Sequence, residues 1–157
     1  MSVEKVRAYL TPYGVAQRIR ELEVSSATVE LAAAALGVAP ARIAKTLSFA
    51  VDGGCVLIVC AGDAKIDNTK FKAQFHTKAT MLTPEQVLDF TGHAVGGVCP
   101  FGIDNPAVTT YLDVSLRRFD TVYPAAGNAA SAVRLSCGEL DILSNSSGWI
   151  DVCKNWS

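Results

Sequence analysis

Apolar residues recur along this chain with two different periods, and the points where the period changes mark its elements. Val3, Val6 and Leu10 follow Ser2 at the spacing of one helix face, a pattern that Pro12 and Gly14 close. Between Val15 and Val24 a weak alternation around Ile19 and Leu22 predicts a short strand. Thr28 suits the N-cap of the alanine-rich helix Val29 to Leu36, and Gly37 stands where such a helix turns left-handed. Pro40 suits the start of a short helical turn. At Lys45 that turn gives way to the strand-like run Thr46 to Val51. Asp52-Gly53-Gly54 then predicts a tight hairpin into Cys55 to Cys60, an apolar run with the character of a central strand.

Ala61 to Asp67 reads as a polar loop, and Asn68 to Phe75 as a helix whose lysines form a solvated face. Thr83-Pro84-Glu85-Gln86 is a capping box with proline at the first helical position, and the helix it opens runs through Val87, Leu88 and Phe90 to Gly92. Gly92 to Gly102 holds four glycines, Pro100, His93 and Cys99, which describes a rigid loop with exposed amides. Val108 to Val114 and Thr121 to Tyr123 have strand composition, with a turn at Arg117 to Phe119 between them. After a small-residue loop at Ala125 to Ala130, Ser131 to Cys137 alternates. Ser136 and Glu139 form a second capping box for a helix over Gly138 to Leu143, and Trp149 to Cys153 closes the chain as a strand. The expected fold class is α/β (α+β). Residues 1–157 form one domain whose mixed, partly curled sheet of about six to seven strands is packed by helices, with strands near Leu47, Leu57 and Val133 in its interior.

Composition narrows the chemistry. At 157 residues, 50% apolar and 18% charged, the chain can bury a core without disulfides or metals. Five cysteines without a CxxC pair, and only two histidines, argue against a disulfide framework and a zinc site, so the expectation is no metal and no cofactor. The N-terminus carries no apolar leader and no window approaches the roughly 18 apolar residues of a membrane span, which reads as a cytoplasmic protein with no membrane partner. With a net charge of −1, any nucleic-acid contact must come from a local basic patch.

Lys45, flanked by apolar residues where a turn gives way to a strand, is well placed to meet an anion or a carbonyl in a cleft. Cys99 would be a nucleophile if a base activated it, and His93 is six residues away; the opposing reading is a small packed hydrophobe. Asp63 with Lys65 would hold a polar ligand, although an Asp after Gly62 is also an ordinary turn residue. Walker loops, GxSxG and paired histidine ligand spacings are absent.

Taken in order, Ala41-Arg42-Ile43-Ala44-Lys45-Thr46-Leu47, Ala61-Gly62-Asp63, Gly96-Gly97-Val98-Cys99-Pro100 and Ala126-Gly127 resemble the YbaK/ProX family. These are free-standing relatives of the editing domain of bacterial prolyl-tRNA synthetases, and the match covers roughly Val24 to Cys153. The resemblance implies a trans-editing hydrolase that cleaves the ester of mischarged aminoacyl-tRNA, with the tRNA 3′ end as partner and a synthetase as a second one. It implies catalytic roles for Lys45, Gly96 and Gly97, and substrate contacts from Thr46, Asp63, Pro100, Phe101 and Gly127. This chain has Ala126 where part of the family has a serine, and no histidine in its last third. Loop amides suit the oxyanion of ester hydrolysis, and water with the neighbouring ribose hydroxyl supplies the rest. Two alternatives stay open: a non-catalytic homologue that binds tRNA or a synthetase, and a thiol enzyme using Cys99.

Overall fold

The structure, a computed structural model, describes residues 2–22 and 28–156. Helix α1 spans Ser2–Leu10 and buries Val3, Val6 and Leu10, after which Thr11–Tyr13 forms a 3-10 turn closed by Gly14 at φ 76°. The strand expected from Val15 to Val24 is shorter, because Ala16–Arg18 takes a 3-10 turn and extended backbone (β1) covers Ile19–Glu21; Glu23 and Val24 lie outside the described residues. Helix α2 is Val29–Leu36, with the Thr28 hydroxyl accepting from the Leu31 amide and Gly37 left-handed at φ 72°. A 3-10 turn at Pro40–Arg42 leads into β2, Ile43–Val51. The strand therefore begins three residues before the expected run from Thr46, and Lys45 is its third residue rather than its head.

The turn Asp52-Gly53 has both residues at positive φ, 51° and 79°, the geometry of a two-residue hairpin whose twist matches its strands. It leads to β3, Gly54–Ala61. Within the expected polar loop, Lys65–Ile66 is a two-residue strand, β4. Helices α3 (Asn68–Phe75) and α4 (Pro84–Thr91) follow, the first capped by the Asp67 carboxylate and the second by the full Thr83/Gln86 capping box. The remaining elements are β5 (Val108–Asp113), β6 (Thr121–Pro124), β7 (Ser131–Val133), β8 (Leu135–Ser136), α5 (Cys137–Leu143), β9 (Trp149–Ile150) and β10 (Cys153–Lys154), with a 3-10 segment at Val114–Arg118 between β5 and β6.

Six of these strands form a mixed sheet in the order β8-β6-β2-β3-β5-β9. β2 and β3 are antiparallel, while β2–β6, β3–β5 and β5–β9 are parallel. Two expectations are corrected. Ser131 to Cys137 is not one interior strand: β7, with Val133, pairs with β1 in a separate ladder, and β8 reaches the main sheet at its edge. Trp149 to Cys153 divides likewise, β9 joining β5 and β10 pairing with β4. Alternation reports which face is buried and says nothing about which neighbour supplies the hydrogen bonds. The break in the second case has a visible cause. The buried Asp113 carboxylate accepts from the Ser115 and Val152 amides, both at 2.9 Å, and so turns the chain at the end of β5 and pins its C-terminal segment.

Phe49, Phe71, Phe75 and Tyr111 stack edge to face and tilted through the core at centroid distances of 4.9, 4.7 and 5.4 Å. A smaller cluster of Ala32, Ala33, Leu36, Ile43 and Ala132 fixes α2 against the start of β2. No helix among the described residues is long and apolar enough to cross a membrane.

The adjacent hairpin glycines are glycine for different reasons, and substitution separates them. A Cβ at Gly53 meets open space, so Gly53→Ala carries only left-handed strain, about 1 kcal/mol. A Cβ at Gly54 would stand 2.7 Å from the Ala107 carbonyl oxygen, which already accepts from Cys55, so Gly54→Ala should cost about 2–3 kcal/mol. Urea unfolding of both variants checks the order, and equal losses would contradict it.

Candidate active site

β2 pairs with β3 from Ala44 to Val51 on one side, but its other side is paired only in part. Ile43 and Ala44 pair with Tyr123 and Pro124 of β6. Further along, Ala50 donates to the Thr80 carbonyl at 2.9 Å and the Ser48 carbonyl accepts from Leu82 at 3.3 Å. Even-numbered residues of β2 thus turn their backbone groups away from β3, as antiparallel alternation requires. Between the two paired stretches stands Thr46, whose N–H and C=O face a gap in the ladder.

The gap is a cavity of about 470 Å³ lined by Lys45, Thr46 and Gly96, with walls from Val29 and Ala32 of α2, Val87 of α4, and Val95 and Val98 of the glycine loop. The Thr46 hydroxyl oxygen is buried and has no hydrogen-bond partner among the described residues. The amides of Gly96 and Val98 also have no acceptor among the described residues, whereas the Gly97 amide donates to the Ala94 carbonyl at 3.0 Å. The expectation of exposed amides at Gly96 and Gly97 is therefore corrected to Gly96 and Val98.

Gly97 has another role. A Cβ there would lie 2.3 Å from Asn128 Cα, so its absence lets the loop lie directly against the backbone that follows Gly127. Gly127 is buried at φ 108°, and the Ser131 hydroxyl, accepting from Ala126 at 3.2 Å and Asn128 at 3.4 Å, folds that second loop into the cavity's far wall.

Lys45 Nζ donates to the carbonyls of Ala64 at 2.5 Å and Gly62 at 3.4 Å. The turn that supplies them sits tightly, since a Cβ at Gly62 would lie 2.1 Å from the Pro40 carbonyl oxygen. Asp63, between the two carbonyls, is outside the cavity lining and takes both ends of the Arg118 fork, at 2.9 and 2.5 Å. That hydrogen bonding, foremost, holds its carboxyl below the ordinary Asp value, with a further contribution from Lys45. Pro100 and Phe101 do not line the cavity. Phe101 is fully buried, its ring stacked 6.5 Å from Tyr9, and Pro100 borders a separate, more polar hollow beside Tyr13.

Cys99 and His93 do meet, Sγ to Nε2 at 3.7 Å, but both are fully buried. His93 Nε2 lies 2.8 Å from the Phe101 carbonyl, which can only accept, so that nitrogen carries the proton and cannot serve as base to the thiol. Burial lowers the His93 pKa and pushes Cys99 up to about 12, leaving both neutral. No group of three or more His, Cys, Asp or Glu among the described residues is placed to hold a metal ion. Sequence reasoning missed Arg118, Ser131 and Val98. Arg118 had a signal in the Arg117-Arg118-Phe119 turn, while the other two have none outside the fold.

Residues 23–142 match the aminoacyl-tRNA editing domain. The chain is 53% identical over 158 residues to YwhH of Bacillus subtilis (strain 168), an uncharacterised protein, with 99% of each covered. It is 34% identical over 139 residues to proline–tRNA ligase of Solidesulfovibrio magneticus, covering 83% of this chain and 23% of that enzyme. For the ligase of Thermotoga sp. (strain RQ2) the figures are 32% over 93 residues, 59% and 16%, so the chain spans less than a quarter of either ligase. The solved structure of a candidate trans-editing enzyme for prolyl-tRNA synthetase matches with a TM-score of 0.87 at 30% identity, covering 98% of this chain and 97% of that one.

The Asp63–Arg118 fork has a pH signature. A depressed folded-state carboxyl contributes stability that is present above its unfolded value and lost as pH falls through the folded one. Carbon-detected NMR titration should place the Asp63 midpoint below the ordinary 3.8, and Arg118→Ala should return it there. An unshifted midpoint in the unaltered chain would refute the pairing.

Proposed function

We propose a function from this premise: the chain belongs to the aminoacyl-tRNA editing domain family. It is a single editing domain over residues 1–157 that acts in trans in the cytoplasm, hydrolysing the ester bond of mischarged aminoacyl-tRNA, with the tRNA 3′ end as substrate and a synthetase as a second partner. The observation that carries the reading is the convergence of Lys45, the unpaired Thr46 edge and the Gly96 loop on one apolar cavity of about 470 Å³. That volume lies in the range of small-ligand sites.

In this reading the aminoacyl side chain lies against Val29, Val87 and Val98, and its α-ammonium donates to the Thr46 carbonyl. The ester's carbonyl oxygen faces the amides of Gly96 and Val98, which stabilise the negative charge that builds on it as water adds to the carbonyl carbon. The C–O bond to the ribose breaks, the 3′ oxygen takes up a proton, and the vicinal hydroxyl relays it. An ammonium has three donors, and Lys45 commits two to the 62–64 turn, which leaves one for the terminal phosphate or the ester. Asp63 and Arg118 act through this turn as positioning residues. Gly97 and Gly127 serve as the seam between the two loops, and Phe101 supports them from the core.

Lys45→Ala should slow deacylation of a good mischarged substrate about a hundredfold, roughly 3 kcal/mol of barrier, while stability falls by about 1 kcal/mol as the two turn carbonyls lose their donor. Deacylation rate and thermal unfolding on the same preparation check this, and unchanged turnover sinks the assignment. Cys99→Ala should retain the rate within about tenfold. A loss beyond about a hundredfold would make the thiol chemical.

A further inference from the structure

The strand directions gather one kind of side chain at one end of the sheet. The starts of β2 and β6 and the ends of β3 and β5 share that end, because β2 runs antiparallel to β3 and parallel to β6, and β3 runs parallel to β5. Arg42 precedes β2, Arg117 and Arg118 follow β5, and Lys65 follows β3 by one turn. With Lys45 and Lys154 these are six of the chain's fourteen lysines and arginines, in a protein of net charge −1.

Their surroundings are aromatic. Arg42 and Arg118 each lie over Phe119 at 4.9 Å, Arg118 also over Trp156 at 5.0 Å, and Arg117 over Trp149 at 4.3 Å. These contacts hold the guanidinium planes in place on half-buried rings. The carboxylates nearby are mostly committed: Asp63 to Arg118, Asp151 to Lys70, and Asp67 to the amides of Thr69 and Lys70, leaving the exposed Asp120. Arg42, Lys65, Arg117 and Lys154 form no ion pair with a described residue.

One further feature runs against the stability of the isolated chain. In the β4–β10 ladder Lys65 and Lys154 are direct cross-strand partners, and both are exposed. Like charges directly opposite each other destabilise a ladder. An anion placed between them removes that cost.

We infer that this end of the sheet, from the Lys65–Lys154 pair across Arg118 to Arg117, binds the phosphate backbone of RNA entering the cavity, with bases stacking on the Arg-bearing indoles of Trp149 and Trp156. Interleaved cations and aromatic rings are the means by which single-stranded RNA is held without base readout. The Lys65 pair adjoins the Gly62–Ala64 turn that holds the Lys45 ammonium, so the bound strand leads to the proposed site. The inference rests on the reading of the substrate as an aminoacyl-tRNA.

The test uses a fluorescein-labelled, uncharged tRNA transcript and the full chain, with affinity measured by anisotropy at several salt concentrations. The Lys65→Ala/Lys154→Ala double variant and Arg117→Ala should each weaken binding at least fivefold at about 0.1 M salt and flatten the log–log salt dependence by about one to two for the pair. The double variant should melt no lower than the unaltered chain, since a repulsion has been removed. Lys72→Ala/Lys78→Ala, exposed lysines elsewhere with the same charge change, should bind as the unaltered chain does. Equal affinity in the ridge variants, or an equal loss in the control, overturns the inference. Deacylation by the unaltered chain is read separately. Ridge-dependent binding without any hydrolysis sinks the enzymatic reading and keeps this one, whereas hydrolysis with binding indifferent to the ridge does the reverse.

Discussion

The register of the β2–β3 hairpin is the constraint on which the cavity depends. Asp52 and Gly53 at positive φ allow a two-residue turn, which pairs Val51 with Gly54 and so fixes every pair behind it to Lys45 opposite Cys60. A slip of one residue would turn each side chain to the opposite face and each backbone group to the opposite edge. In the register adopted, Thr46 presents its peptide groups outward and Lys45 reaches the turn after β3. The unpaired edge lies between the end of β6 at Pro124 and the chain at Thr80 to Leu82, which meets β2 again only from Ser48.

Close backbone approach is the second constraint. Three of the chain's glycines are glycine less because their amides must be bare than because another chain segment occupies the place of a side chain. Pro40 does so at Gly62, Asn128 at Gly97 and Ala107 at Gly54. None of these three glycines has positive φ, so the requirement is steric and not conformational. Gly96, Gly102 and Gly127 do have positive φ and serve to turn the chain. The same letter in the sequence thus records two separate physical demands, which only the packing distinguishes.

Local signals were legible in the sequence wherever the cause was local. Both capping boxes, the hairpin, the Gly37 and Gly92 helix ends and the order of strands and helices follow from residues within four positions of each other. What was not legible depends on contacts remote in the chain. Arg118 reaches Asp63 across 55 residues, Asp113 reaches Val152 across 39, and Val133 leaves the main sheet to pair with Ile19. Phe101 sits beside a proline and glycines as a ligand contact would, yet its ring is core. The Lys45, Thr46 and Gly96 neighbourhood was legible through motif order, whereas the burial of the Gly97 amide was not.

Polar satisfaction separates the places where chemistry is excluded from the place where it is possible. Burial removes water from the Cys99–His93 pair, and the low dielectric favours the neutral form of each, while the Phe101 carbonyl fixes the imidazole proton on the nitrogen nearest the thiol. Asp113 is buried too, and two amides satisfy it. These groups are inert because their bonds are already made. At the cavity the situation is reversed: the Gly96 and Val98 amides have no acceptor among the described residues, and the outward-facing peptide of Thr46 lies between the two paired stretches of the β2 edge. Each such group costs on the order of 1–3 kcal/mol if kept from water and unpaired. A fold that satisfies Asp113 and His93 and leaves these groups bordering one apolar hollow has shifted that cost onto the free state, from which a polar ligand with an apolar arm relieves it.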